Sequence, residues 1–338
     1  MNEWVDVRLV LYTKSGKEVK KDSELYKILN AIKIPTHLTS VELRVQKFKD
    51  MDSSLIFVGV DSKGRKQYFY GKDHVAGRTS NRIKLLLHVY KKKDKVFKFV
   101  EKQFKKSSSL TMDYVFAVFL SIELKFYIRM GKEKYFKDNQ TIGMNTLTKD
   151  HIKIGNKFIE FDFVGKVGVS QHFKLPISDP LAAHVISLYN NPNNKSNFFF
   201  VDYSGKRFSE NMIYDQMKSF GIKIKDLRTY GANKTLIETY IKAIKKSEPL
   251  KTDKDKKKFM SDLIETTAGI IGHTPAICKK SYLVLELLDI LKNDWFYENR
   301  KSLTVELVFD KLKEYVEKNK SIEEGKEDSE PFTDFKFD

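Results

Sequence analysis

The chain has 338 residues, with 62 Lys and Arg against 45 Asp and Glu, for a formal charge of +17. That length suits two domains or one large one, and the basic excess points to a polyanion, nucleic acid above all, as partner. The lone cysteine, Cys278, excludes an internal disulfide and any multi-cysteine metal site, and no Walker loop or Gly-rich dinucleotide turn asks for ATP or NAD.

From the N-terminal end, Met1-Asn2-Glu3-Trp4 lacks the basic-then-apolar pattern of a signal peptide. The first 70 or so residues read as β-rich. Val41 to Val45 and Leu55 to Val60 are strand-like, and Asp61-Ser62-Lys63-Gly64 is a turn into a return strand carrying Gln67, Tyr68, Phe69 and Tyr70. The period changes near Gly71 to Asn81, which is read as a linker, and becomes helical beyond it. Ile83, Leu86, Leu87 and Tyr90 fall on one face, followed by Phe97, Val100 and Phe104.

Thr111 and Asp113 open the most apolar stretch, Tyr114 to Ile122, which is followed by Glu123, Lys125 and Arg129. It is too short to span a bilayer, which needs about 18 or more apolar residues, and reads as a buried helix. Gly131 is expected to cap it, placing Arg129 in its last turn. Residues 152–154, 158–164 and 169–175 then alternate as strands, with Gly165-Lys166-Val167-Gly168 as the turn between the last two. A helix over Leu181 to Tyr189 and an Asn-rich loop follow. Lys251 to Lys258, with five lysines in eight residues, reads as a solvated loop. Thr274 can N-cap a helix with Pro275 at its first position, putting Tyr282 on the second or third turn. The last 18 residues, 321–338, hold seven acids against two lysines, so the basic excess lies on the rest of the chain. This acidic tail reads as solvated and disordered. The seven histidines show no metal-ligand spacing.

Two blocks carry the chemistry: Lys225-Asp226-Leu227-Arg228-Thr229-Tyr230-Gly231, and Gly272-His273-Thr274-Pro275 with Tyr282 nine residues after His273. A phenol holds its proton to about pH 10 and is a poor nucleophile in water. Cations aimed at a phosphate change that, because they stabilise the charge that builds as the phenolic oxygen attacks. Singly, each residue has an ordinary explanation: Arg129 as a cation at a helix C-terminus, Lys166 as a turn residue, Tyr282 as a half-buried helix tyrosine.

Together with Gln67-Tyr68-Phe69-Tyr70-Gly71-Lys72, Ile128-Arg129-Met130-Gly131-Lys132 and Phe163-Val164-Gly165-Lys166, these blocks resemble the type IB DNA topoisomerases of the small poxvirus type. The resemblance covers most of the chain, with Arg-Lys-Arg-His-Tyr in the family's order. It implies an α+β architecture: a small β-rich N-terminal domain (1–76), a larger, mainly α-helical catalytic domain with a small three-stranded sheet (77–320), and the acidic tail (321–338). It implies Tyr282 as nucleophile, leaving a 3′-phosphotyrosine and a free 5′-hydroxyl. Arg129, Arg228 and His273 would hold the phosphate, and Lys166 would be the general acid, with Lys225 in a secondary role at the leaving group. Val167 stands where an acidic residue is expected. Gln67, Tyr68, Tyr70, Lys132, Lys134 and Tyr135 are the implied DNA contacts.

Supercoil relaxation with no metal, ATP or other cofactor is the implied activity, performed by a monomer clamping double-stranded DNA. The expected setting is soluble and intracellular, in a virion or a viral replication compartment of the host cytoplasm, with no membrane partner. A tyrosine site-specific recombinase shares the same catalytic logic and is the alternative, though it usually has histidine where Lys225 stands and an all-helical N-terminal domain. A non-catalytic basic DNA-packaging protein is the second alternative.

Overall fold

Short runs of β-branched and aromatic residues near the N-terminal end pair into an antiparallel sheet. In the computed structural model, which describes residues 10–106 and 110–324, helix α1 (Glu24–Ala31) precedes strands β1 (Leu38–Leu43), β2 (Leu55–Asp61) and β3 (Lys66–Tyr70), ordered β1-β2-β3. The β2–β3 hairpin turns as its sequence dictates. The Asp61 carboxylate accepts from the Lys63 and Arg65 backbone N–H groups, both at 3.0 Å, and Gly64 takes the left-handed conformation at φ +71°. Phe57 and Val58 are buried with Tyr26 and Ile28, and the Phe57 ring stacks on Phe69 at 4.2 Å.

The chain divides into two compact units between Arg82 and Ile83, inside helix α2 (Lys72–Lys105). The stretch read as a linker, Gly71 to Asn81, is therefore helical from Lys72 onward. One glycine costs a helix about 1 kcal/mol relative to alanine, too little to stop a 34-residue helix that buries Ile83, Leu86, Val89 and Val96 further along.

In the second unit the apolar stretch forms α3 (Met112–Phe126), in which every residue from Tyr114 to Leu120 is buried. A helix apolar on all sides belongs at the centre of a fold, and Phe116 and Phe119 pack there against Phe208. Thr111 caps its start, accepting from the Tyr114 N–H. Its end differs from expectation: the cap is Tyr127, left-handed at φ 52°, and Arg129 lies in the segment beyond. Gly131 serves a close approach instead, because a Cβ on facing Gly143 would stand 2.5 Å from the Arg129 carbonyl oxygen. Bonds from Met144 N to Arg129 O (2.8 Å) and from Asn145 N to Met130 O (2.6 Å) hold the segments together.

Helix α4 (Glu133–Asn139) leads to a second antiparallel sheet, ordered β4-β5-β6: β4 (Ile152–Ile154), β5 (Phe158–Val164) and β6 (Ser170–Pro176). Helices α5 (Pro180–Tyr189), α6 (Glu210–Phe220), α7 (Ile224–Ile244) and α8 (Asp253–Ile270) follow. The chain continues through α9 (Pro275–Ser281), α10 (Leu285–Ile290), α11 (Asp294–Glu298) and α12 (Val305–Glu324). The mixed α+β architecture is as the sequence implies. The lysine run at 251–258, read as loop, is instead mostly the start of α8. Thr252 and Asp255 form a reciprocal capping box, with Asp255 N donating to Thr252 Oγ1 at 3.1 Å and Thr252 N to Asp255 Oδ2 at 3.2 Å. The first four residues of the acidic tail continue α12, and residues 325–338 lie outside the described residues. Among the described residues no helix is long and apolar enough to cross a membrane.

Gly231 joins α7 to the end of α3. A Cβ at this position would stand 1.9 Å from Cε1 of the Tyr127 ring. Gly231→Ala should therefore lower stability by about 1–3 kcal/mol through overpacking, although the same change in an open helix is stabilising. Urea unfolding measures this, and a variant as stable as the parent would show that the ring is not seated on Gly231.

Candidate active site

The site grows from the end of α3. The last turn closes with Tyr127 N donating to Glu123 O at 2.7 Å, which leaves the Tyr127 carbonyl free to receive Arg228. Arg228, one turn into α7, donates from Nε to that oxygen at 2.6 Å. Its Nη2 lies 3.0 Å from His273 Nε2. A guanidinium only donates, so this nitrogen of His273 accepts, and the neutral imidazole carries its proton on Nδ1. The electrostatics agree: burial, then Arg228 and Arg129, push the His273 pKa down to about 4.

Tyr282 completes the group. Thr274 caps α9 as expected, accepting from Ile277 N, and Tyr282 is the residue that ends this two-turn helix. Its ring stacks on His273 at 4.9 Å and 12°, and Arg228 Cζ stands 5.0 Å from the ring centroid. Tyr282 is only 8% exposed. It lines a narrow cleft with Tyr127, Arg228, Ile271 and His273. Arg129 is half-buried beside them, its pKa lowered by burial and by Arg228, with Tyr282 acting in the opposite direction. Among the described residues no carboxylate oxygen comes within 4.0 Å of either guanidinium, so neither charge is spent on an ion pair.

Arg129, Arg228, His273 and Tyr282 thus come together. Lys166 is exposed at the tip of the β5–β6 hairpin, and Lys225 is exposed on α7, three residues before Arg228; neither lines the cleft. The Gln171 side chain stands between the neck of that hairpin and the His273 loop. A Cβ on Gly165 would lie 3.2 Å from its Cγ, and one on Gly272 3.0 Å from its Oε1. In the first unit, Tyr68 is exposed and Tyr70 stacks on His74, while Gln67 meets His37 Nε2 at 3.1 Å and Asp61 at 3.4 Å. Lys132, Lys134 and Tyr135 are all exposed around the start of α4.

Sequence reasoning passed over Asn233. Fully buried on α7, its Nδ2 donates to the Tyr282 carbonyl at 2.9 Å and its Oδ1 accepts from Val284 N at 2.9 Å. It thereby fixes the backbone on both sides of Leu283. The available signal was a polar residue five positions after Arg228, on a helix otherwise read only for its cations.

The family described as the catalytic core of eukaryotic DNA topoisomerase I matches residues 84–293, and that described as the N-terminal part of viral DNA topoisomerase I matches residues 8–59. The chain is 39% identical to DNA topoisomerase 1B of vaccinia virus (strain Copenhagen) over 280 residues, which is 83% of this chain and 86% of the relative. It is equally similar to DNA topoisomerase I of monkeypox virus, at 39% over the same shares. It is 28% identical to DNA topoisomerase 1B of Acanthamoeba polyphaga mimivirus, over 92% of this chain and 93% of that one. The chain belongs to the type IB DNA topoisomerases, and the recombinase and packaging readings give way to that assignment.

Removing the Asn233 amide would leave the Tyr282 carbonyl and the Val284 N–H unpaired in the interior. Asn233→Ala should cost about 1–3 kcal/mol, the usual penalty for stranding a buried polar group, and should speed hydrogen exchange at the Val284 amide. Unchanged exchange there would mean that other contacts fix the Tyr282 backbone.

Proposed function

We propose that this protein relaxes supercoiled duplex DNA by cutting one strand through Tyr282, letting the free end rotate, and resealing it. The observation that carries the reading is the mutual contact of Tyr282, Arg228 and His273, the Tyr282 ring lying against both the imidazole and the guanidinium, which are themselves in contact, with Arg129 acting on the same ring. In the cutting step the Tyr282 oxygen bonds to phosphorus, its proton passes to solvent, and the bond from phosphorus to the 5′-oxygen breaks. The product is a 3′-phosphotyrosine and a free 5′-hydroxyl.

Arg129 and Arg228 clamp the non-bridging oxygens, which a planar guanidinium does with paired, permanently charged donors. Each lost donor of this kind costs a factor of about 10² to 10³. The entering phosphate takes Arg228 Nη2 away from His273, whose freed Nε2 then donates to the same phosphate once it carries the ring proton. Lys166 supplies the proton that the departing 5′-oxygen needs. Its position on a hairpin tip between Gly165 and Gly168 suits a group that must reach DNA from outside the cleft. Lys225 has a secondary role there. Gln67, Tyr68 and Tyr70 of the first unit and Lys132, Lys134 and Tyr135 of the second contact the duplex, which a monomer grips through both units. Glutamine suits adenine in the major groove, and the tyrosines reach phosphates or thymine methyls.

Because the phosphotyrosine retains the bond energy, religation needs no nucleotide, and the guanidiniums do the charge stabilisation for which other nucleases use metal. The purified protein should relax both positive and negative supercoils in EDTA without ATP. Stopping the reaction with detergent should trap protein on the 3′ side of a nick, and Tyr282→Phe should bind DNA but form no adduct. A strict need for Mg²⁺ or ATP, or an adduct on a 5′ end, would overturn the reading.

The role of Lys166 is separable from that of the clamp. Lys166→Ala should slow cleavage of an ordinary substrate by about 10² to 10⁴, the usual reach of general-acid catalysis. With sulfur in place of the 5′-oxygen the leaving thiolate needs no proton, so Lys166→Ala should cleave that substrate nearly as fast as wild type. Arg228→Ala should show no such rescue. Equal defects of Lys166→Ala on both substrates would assign the lysine to positioning and make Lys225 the next candidate for the acid.

A further inference from the structure

The most anomalous group in the molecule is the Glu123 side chain. It sits in the last turn of α3 with 0% exposure, and both carboxylate oxygens are buried without a hydrogen-bond partner. A buried carboxyl in that state is costly when ionised, and the negative end of its own helix adds to the cost. One turn further on, the Tyr127 carbonyl holds Arg228, and Arg228 is the charge that acts on Glu123.

We propose that Glu123 is a positioning residue for Arg228: its ionised carboxylate and the scissile phosphate draw on the same guanidinium, so the phosphate is clamped with Glu123 protonated. The proposal rests on the topoisomerase reading above. In the empty site Arg228 supports the Glu123 charge. A phosphate at Arg228 shares that support and adds its own negative field, which favours the protonated carboxyl, so where Glu123 is partly ionised it takes up a fraction of a proton from solvent. By linkage, whatever ionises Glu123 weakens the clamp by the same factor.

The surrounding groups leave little else to compensate the carboxylate. On α7, Glu238 acts on Tyr127 and Tyr127 acts on Tyr230, and Tyr127 also feels Glu123. Arg129 and His273 both feel Arg228, and His273 touches it. On the α5 side of α3, His184 is engaged with the Tyr114 hydroxyl, and Asp179 pairs with Lys125. Burial pushes the Glu123 carboxyl up to about 8, with Arg228 pulling it the other way. The sign follows: below that pH the group is neutral and does not compete, and above it the carboxylate claims Arg228 and cleavage falls.

The test is single-turnover formation of the Tyr282 adduct by wild type and Glu123→Gln across the pH range. The ratio of variant to wild-type rate should rise about fivefold over the first pH unit above the Glu123 pKa, approach about tenfold per unit beyond that, and stay level well below it. A merely structural role would shift the ratio equally at every pH, and a level ratio overturns the proposal. Glu123→Leu keeps the test open if a buried glutamine amide prevents folding, because an apolar residue of that size leaves nothing unsatisfied. Calorimetry gives a second readout. Tyr282→Phe binding duplex DNA near pH 8, in buffers of different ionisation enthalpy, should take up a fraction of a proton that is absent when Glu123 is also replaced. No uptake overturns the proposal, whereas a wild type that forms no adduct at any pH removes the topoisomerase reading and the inference with it.

Discussion

The arrangement of the site depends on how α3 ends. A non-glycine residue in the left-handed region costs roughly 1 kcal/mol or more and persists only where its surroundings fix it. Tyr127 is fixed three times. Its N–H closes the last turn on Glu123, its ring lies over Gly231 where no Cβ fits, and its carbonyl receives Arg228. The left-handed turn directs the chain into the segment that carries Arg129, and the same carbonyl orients the other arginine. One backbone conformation therefore places both arginines, and Gly231 in the Arg228 block makes that conformation possible.

The electrostatics of the site are those of an anion receptor. Two partly buried guanidiniums act on each other, both depress the adjoining histidine, and the buried Glu123 carboxyl on which Arg228 acts is itself held back from ionising. Mutual repulsion of this kind is relieved when a phosphate enters. The relief is greatest when negative charge on the non-bridging oxygens is greatest, which is at the transition state. The +17 charge of the chain acts at longer range, drawing the polyanion in without sequence information.

Much of this was legible in the sequence because it was local. The Asp61–Gly64 turn, the Thr111 cap, the apolar run of α3 and the Thr274-Pro275 start of α9 each carry their signal within a few residues. What was misread depended on distant contacts or on a competing local cue. Gly131 resembles a helix cap until Gly143, twelve positions away, is seen against it. Five lysines hid the capping box at Thr252, and Gly77 and Ser80 suggested a linker where α2 runs on. Asn233 and Glu123 carried at most a faint signal, as polar residues on otherwise apolar or cationic helices. A polar residue on an apolar face declares itself only when its partners, or their absence, are known.

The four clustered candidates, Arg129, Arg228, His273 and Tyr282, and the two exposed lysines are prepared to different degrees. Arg228, His273 and Tyr282 already touch, and Asn233 locks the Tyr282 backbone, so the proposed nucleophile and phosphate-binding groups are preorganised. Lys166 is carried on an exposed hairpin tip, connected to the His273 loop through the flexible side chain of Gln171. In the mechanism proposed above, stabilising charge for the phosphate is thus built into the fold, whereas the proposed leaving-group acid sits outside the cleft on an exposed segment. Under the proposed mechanism this division has a physical use: the phosphotyrosine would be held by the rigid arginine pair while the 5′-end is free, and the acid that released that end would need to return only when the end does.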